Sequence, residues 1–149
     1  MFQAIPVTSS LQDYLEVILD LVQEKKTARV TDIAARLEIA KPSVIQALGL
    51  LREKGLIIQD RYGPVELTAE GHHYALKIRH RHNVIYGFLT QVLGVSPAAA
   101  EKDACLMEHD LSEESFEKLI RYLDDQNIDA DLKKEIGWQN ISTNQVTEV

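Results

Sequence analysis

Cys105, Glu108 and His109 bring a thiol, a carboxylate and an imidazole to positions i, i+3 and i+4 of one segment. If that segment is helical, the three side chains share a face and can reach a single divalent ion. A buried cysteine is more often a small hydrophobic residue, and a Glu-His pair often lies on the surface. The spacing therefore indicates a metal site, with ordinary packing as the alternative.

Two further groups of residues could supply metal ligands. Asp13 and Glu16 stand three positions apart in a predicted helix, where an acidic pair is more often a solvated face favoured by the helix dipole. A second predicted helix carries four histidines, which are His72, His73, His80 and His82. Histidines on a helix are usually surface residues, so neither group by itself establishes a metal site.

The composition is that of an ordinary soluble protein, with 149 residues, 45% hydrophobic and 26% charged. We find no apolar run long enough to span a bilayer and no signal peptide, and a single cysteine suits a reducing compartment, so a cytoplasmic protein is expected. The net charge of −7 argues against a nucleic-acid partner. Most of the Lys and Arg residues nevertheless lie between residues 25 and 81, whereas residues 101–131 are strongly acidic.

The apolar spacing predicts three helices, then a two-stranded hairpin, then further helices. The helices are expected at 8–26, 32–37 with Thr31 as its cap, 41–54, 69–93 and 97–110, with another starting at Ser112 and a short one after Asp129; the strands are expected at 56–60 and 65–68. This order predicts a mainly α fold, in which a winged helix-turn-helix precedes an all-α dimerisation domain. The expected boundaries are 1–70 for the DNA-binding domain, 71–137 for the helical domain and 138–149 for a polar, flexible tail.

A helix-turn-helix reads DNA with the first residues of its second helix. Lys41, Ser43 and Gln46 occupy the outward positions there, and glutamine can pair with adenine through two hydrogen bonds. Arg61 and Tyr62 lie at the hairpin tip, where a wing touches the DNA backbone or minor groove, and Thr31 is included in the predicted DNA-binding set. Winged helices also serve as protein-interaction modules, which is the alternative for this half of the chain.

Five segments together make the sequence resemble the diphtheria toxin repressor family, and most closely its short, manganese transport regulator branch. They are Asp13-Tyr-Leu-Glu16, Ala28-Arg-Val-Thr-Asp-Ile-Ala34, Leu67-Thr-Ala-Glu-Gly71, Arg81-His82 and Cys105-Leu-Met-Glu-His-Asp-Leu-Ser112. The resemblance implies metal ligation by Asp13, Glu16, His82, Cys105, Glu108 and His109. It also implies a homodimer that binds a palindromic operator in double-stranded DNA.

The implied site combines features of two branches of that family. Cys105 is typical of the iron-sensing branch, whereas Asp13 replaces a methionine of that branch. Tyr86 and Glu101 occupy places where the iron branch has a Glu and a His of an ancillary site. Carboxylates suit Mn²⁺ or Fe²⁺, and a thiolate adds affinity for Fe²⁺, Co²⁺ or Zn²⁺, so the expected effector is Mn²⁺ or Fe²⁺, with Co²⁺ or Zn²⁺ binding in vitro.

The expected function is metal-dependent repression of metal-homeostasis genes, without enzymatic activity and without a membrane partner. Two alternatives from other classes are a winged-helix regulator that responds to a different ligand and a metallohydrolase. The sequence has no His-Glu-x-x-His motif and no nucleophile elbow, which disfavours the hydrolase.

Overall fold

The computed structural model describes residues 8–61 and 63–126, and these divide into two compact units between Lys77 and Ile78. The elements are α1 (Ser9–Lys25), α2 (Val30–Leu37), α3 (Lys41–Glu53), β1 (Ile57–Gln59), β2 (Val65–Leu67), α4 (Ala69–Gly87), a π-helical segment (Phe88–Val92), α5 (Pro97–Asp110) and α6 (Glu113–Asp125). None of the described helices is long and apolar enough to cross a membrane. The predicted short helix after Asp129 and the predicted tail at 138–149 lie outside the described residues.

The N-terminal unit is a winged helix-turn-helix built on α1. Thr8 caps this helix, because its Oγ1 accepts a hydrogen bond of 3.3 Å from the Leu11 amide. The apolar stripe of α1 is buried against α2, α3 and the hairpin, and Leu15, Ile18, Leu48 and Leu51 are fully enclosed. The spacing of apolar residues thus determines which faces of α1 and α3 form the core.

The second helix begins two residues earlier than its predicted start. Ala28 forms an isolated β-bridge with Val65, whose amide donates to the Ala28 carbonyl at 2.7 Å. The chain then turns at Arg29, which is the N-cap residue without a side-chain cap, and Val30 is already helical. The prediction that Thr31 caps α2 is therefore wrong, and Thr31 lies exposed in its first turn.

Helix α3 starts as predicted, with Pro42 in its first turn, where a missing amide hydrogen costs no helical bond. It buries the expected Val44, Ala47, Leu48 and Leu51. Strands β1 and β2 then pair antiparallel, with Ile57 opposite Leu67 and Gln59 opposite Val65. The predicted hairpin is thereby confirmed, and Tyr62 lies outside the described residues.

Thr68 and Gly71 hold the start of α4 against Gly55 and Leu56, the residues just before β1. Thr68 Oγ1 accepts from the Gly71 amide at 3.0 Å and donates to the Gly55 carbonyl at 2.7 Å. A side chain at position 71 would overlap the Leu56 carbonyl oxygen. Glycine is needed there because helix and backbone approach too closely for a Cβ atom.

The C-terminal unit is entirely helical among the residues described. The predicted helix over 69–93 is regular only to Gly87, because Phe88–Val92 adopts π-helical geometry. Thr90 Oγ1 donates to the Tyr86 carbonyl at 2.9 Å, and such side-chain bonding to the backbone is known to distort helices. Helix α5 has the predicted bounds, and Ser112, the predicted start of the next helix, is the N-cap of α6. The fold class, a winged helix-turn-helix followed by an all-α unit, is confirmed.

Arg81 joins α4 to the turn between α5 and α6. Its guanidinium donates to Glu113 Oε1 at 2.9 Å and to the Leu111 carbonyl, and it lies 5.1 Å from the centroid of the Phe116 ring. Only 11% of the Arg81 side chain is exposed. These contacts fix the end of α5, which carries Glu108 and His109.

Candidate metal centre

His82 on α4 lies at the centre of a cluster of metal-ligand residue types in the C-terminal unit. Its Nδ1 is 2.8 Å from Glu108 Oε2, and its Nε2 is 3.0 Å from Glu101 Oε2. Both carboxylates belong to α5, and His82 is 8% exposed. One imidazole therefore faces a carboxylate at each ring nitrogen.

The surroundings of His82 favour its charged form. Burial alone lowers its pKa, but the hydrogen bonds and charges of Glu108 and Glu101 outweigh that effect and raise the pKa to about 9. Both ring nitrogens can then donate, one to each carboxylate. At neutral pH the imidazolium acts as an internal cation between two acidic side chains.

Cys105 and His109 extend the same cluster along α5. Cys105 Sγ lies 3.7 Å from His82 Nδ1, and His109 Nε2 lies 3.4 Å from Glu108 Oε1. Ser96 caps α5 and Pro97 occupies its first turn, so the helix forms where the sequence predicts it. The helix carries Cys105, Glu108 and His109 at the i, i+3, i+4 spacing.

The donor atoms fit a divalent transition metal. One ligand atom each from His82, Glu101 and Cys105 can be chosen so that all lie within 4.8 Å of one another. With metal–nitrogen and metal–sulfur bonds of roughly 2.0 and 2.3 Å, two ligand atoms of one ion lie at most about 4.3 Å apart. Small side-chain movements would therefore bring these three atoms within bonding distance of one ion. A metal-ligating histidine also commonly donates its other N–H to a carboxylate, which His82 is placed to do.

Asp13 and Glu16, the remaining predicted ligands, lie on α1 in the N-terminal unit. Asp13 is exposed and Glu16 is partly buried. Their coordination of a metal stays a prediction. Of the other histidines, His72 and His73 are exposed on the first half of α4, and His80 packs edge-on against the Phe116 ring with centroids 5.8 Å apart.

Glu101 is absent from the predicted ligand set although it contacts His82. It stands one helical turn before Cys105, and this i, i+4 spacing is the signal that could have included it. Tyr86 stacks on the His82 ring, with centroids 6.5 Å apart and planes inclined by 11°. The two positions at which the sequence departs from the ancillary site of the iron branch thus both border His82.

The predicted DNA-binding residues lie on the surface of the N-terminal unit, as far as the structure describes them. Lys41, Ser43 and Gln46 are exposed on the first half of α3, and Arg61 is exposed beside the hairpin turn. Thr31 is exposed on α2, and Tyr62 lies outside the described residues. Their contacts with DNA stay predictions.

Two family models match the chain, and together they cover most of it. Residues 7–65 match the model described as the iron dependent repressor, N-terminal DNA binding domain. Residues 68–136 match the model described as the iron dependent repressor, metal binding and dimerisation domain. The cluster around His82 lies within the second match.

Similar proteins of known identity include transcriptional regulators called MntR. That of Escherichia coli O6:H1 is 45% identical over 72% of this chain and 68% of its own length. That of Shouchella clausii is 32% identical over 89% of this chain and 94% of its own. A solved manganese-dependent transcriptional repressor in complex with manganese matches with a TM-score of 0.64 and 26% identity, over 87% of this chain and 53% of that chain. This chain therefore spans about half the length of that repressor.

Proposed function

Because the chain belongs to the iron-dependent repressor family of metal-dependent transcriptional regulators, we propose that it represses genes as a homodimer bound to a palindromic operator when loaded with Mn²⁺ or Fe²⁺. The family resemblance found in the sequence is confirmed, and the chain is a regulator rather than an enzyme. The targets we propose are metal-homeostasis genes, and the compartment is the cytoplasm.

The observation that carries this proposal is the contact of the buried His82 with the buried Glu108 and with the exposed Cys105, all within the metal-binding and dimerisation match. Glu108 is 4% exposed, and burying a carboxylate is costly unless a positive charge accompanies it. The protonated His82 supplies that charge without metal. A divalent ion would supply it in the active state.

The proposed ligands are Cys105, Glu108, His109 and His82, together with Asp13 and Glu16. This set mixes hard carboxylate oxygens with nitrogen and one thiolate, which suits Mn²⁺ or Fe²⁺ and also admits Co²⁺ or Zn²⁺. Acidic side chains of this set, which repel one another without a cation, would be neutralised by a bound ion. Glu101, which contacts the second nitrogen of His82, would hold the ring in place if it is not itself a ligand of the ion.

Metal needs only to bind the DNA-competent arrangement of the protein more tightly than its alternatives. A thousandfold preference corresponds to about 4 kcal/mol, which is enough to change the population of the active state. In the homodimer, two copies of α3 would lie about 34 Å apart, one helical turn of DNA. Lys41, Ser43 and Gln46 then face base edges, while Arg61, Tyr62 and Thr31 contact the backbone or minor groove.

The test is DNA binding as a function of free metal. A duplex is first selected from a randomised pool by the protein in Mn²⁺, and separately in anaerobic Fe²⁺. Fluorescence anisotropy then measures the Kd of that duplex against free metal concentration. We expect binding to weaken at least a hundredfold in chelator, and equal Kd values with and without chelator would contradict the proposal.

Ligand variants test the site itself. Cys105→Ala and His109→Ala should abolish the metal response while the thermal unfolding midpoint in chelator changes little. Asp103→Ala is the matched control, because Asp103 is an exposed acidic residue on the same helix outside the cluster. For His82→Ala the control is His72→Ala, an exposed histidine on the same helix. A response that survives all three ligand substitutions would exclude this site.

A further inference from the structure

Ile45 is an aliphatic side chain that α3 presents to solvent. It is 60% exposed, whereas its neighbour Val44 is completely buried. Single exposed apolar residues are common and need no explanation in general. The position of Ile45 distinguishes it, because it stands in the first half of α3 directly before Gln46.

That half of a recognition helix lies against base edges in the major groove. The groove presents hydrogen-bonding groups on every base pair and one apolar group, the C5-methyl of thymine. An aliphatic side chain gains by covering that methyl and cannot satisfy the polar edges. The chemistry of Ile45 therefore matches one feature of the groove.

Gly49 gives a second, independent observation on the same helix, one turn after Ile45. Glycine inside a helix is destabilising relative to alanine, so its presence calls for a reason. Among the described residues, a Cβ atom at position 49 would come near only Arg52 Nη2, at 3.9 Å. The fold leaves room for a side chain at position 49. Because glycine has none, another molecule can approach the backbone of α3 closely at this point.

We infer that Ile45 is a specificity-determining residue that reads thymine through its 5-methyl group in each half of the operator. The inference rests on the proposed function, because it requires α3 to lie in the major groove. Gln46 would recognise a neighbouring base by hydrogen bonds, so the two adjacent residues read different chemical features of the site.

Deoxyuridine differs from thymidine only by that methyl group and therefore isolates the contact. The wild-type protein in Mn²⁺ selects a duplex from a randomised pool, and each thymine is then replaced by uracil, symmetrically in both half-sites. For one thymine we expect about fourfold weaker binding per half-site, the loss associated with exposing one methyl group. Two half-sites then give about a 16-fold loss.

The same duplexes are measured with Ile45→Ala, and with Leu50→Ala as the matched control. Leu50 is 44% exposed on the second half of α3, away from the bases in the proposed arrangement. Ile45→Ala should bind the thymine duplex about as weakly as the wild type binds the uracil duplex, with no further loss on uracil. Leu50→Ala should keep the wild-type sensitivity to uracil.

The outcomes separate this inference from the proposed function. If the wild type binds a selected duplex in metal but no uracil substitution weakens it, or if Ile45→Ala keeps the full sensitivity, Ile45 does not read thymine and the proposed function stands. If no duplex is selected in either metal, both are overturned. Thermal unfolding of Ile45→Ala should match the wild type, since the side chain adds little to the core.

Discussion

Removing the positive charge of His82 is the substitution that most directly tests the electrostatics of the cluster. In the metal-free protein the ring lies between Glu108 and Glu101, with contacts of 2.8 and 3.0 Å. His82→Gln replaces the ring by a neutral amide that still offers hydrogen-bonding groups. The buried Glu108 and the exposed Glu101 then face position 82 without a cation from it.

The size of the effect follows from the pKa of His82, which the two carboxylates raise from 6.5 to about 9. A pKa raised on folding stabilises the folded state fully below pH 6.5, and that stabilisation is lost as the pH rises through 9. The corresponding free energy is about 3 kcal/mol at 1.36 kcal/mol per pH unit. The metal-free wild type should therefore become less stable between pH 6 and pH 9.5.

Urea unfolding in chelator, followed by circular dichroism at pH 6 and at pH 9.5, measures this difference. We expect the free energy of unfolding of the wild type to fall by about 3 kcal/mol more than that of His82→Gln. Subtracting the variant removes the contributions of other groups that titrate in this range. Identical pH dependence in the two proteins would refute the charged His82 and its pairing with both carboxylates.

Three further predictions concern contacts that position the elements around the sites, and thermal or urea unfolding tests each of them. Gly71→Ala should destabilise the protein by about 3 kcal/mol, because the added Cβ would overlap the Leu56 carbonyl. The control Gly49→Ala should leave the stability unchanged or raise it. Equal effects of the two substitutions would contradict the close approach at Gly71. Arg81→Ala should lower the free energy of unfolding by about 2 kcal/mol, because charge-assisted hydrogen bonds are lost, and Arg81→Lys should recover part of that loss. If Arg81→Ala leaves the stability unchanged, the contact with the end of α5 is excluded. Thr68→Ala should cost about 1 kcal/mol by removing the cap of α4, and no change would mean that the cap contributes nothing.

Apolar periodicity together with a local start signal was sufficient to predict α1, α3 and α5. Pro42 and Pro97 lie in first turns, and Ser96 caps α5. The start of α2 has no such signal, since it follows from the pairing of Ala28 with Val65, which is remote in sequence. The π-helical segment was also missed, because the hydrogen bond of the Thr90 side chain to the Tyr86 carbonyl leaves no trace in the apolar pattern.

The candidate site was likewise predictable from the sequence only where its signal is local. The spacing of Cys105, Glu108 and His109 is local, and the helix that it requires is present. The contacts of His82 with Glu108 and Glu101 depend on how α4 and α5 pack, which spacing along one helix cannot indicate. His82 entered the predicted set only through the family resemblance, because four histidines on one helix gave no reason to prefer it.

Crystals loaded separately with Mn²⁺ and with Fe²⁺, and measured at the absorption edge of each metal, test the central claim most directly. We predict an anomalous peak within bonding distance, about 2.0–2.6 Å, of Cys105 Sγ, of a Glu108 carboxylate oxygen and of a His109 ring nitrogen. The peak should disappear in Cys105→Ala or move away from position 105. Full occupancy by metal only at other positions, with Cys105, Glu108 and His109 uncoordinated, would contradict the claim that this cluster is the metal sensor.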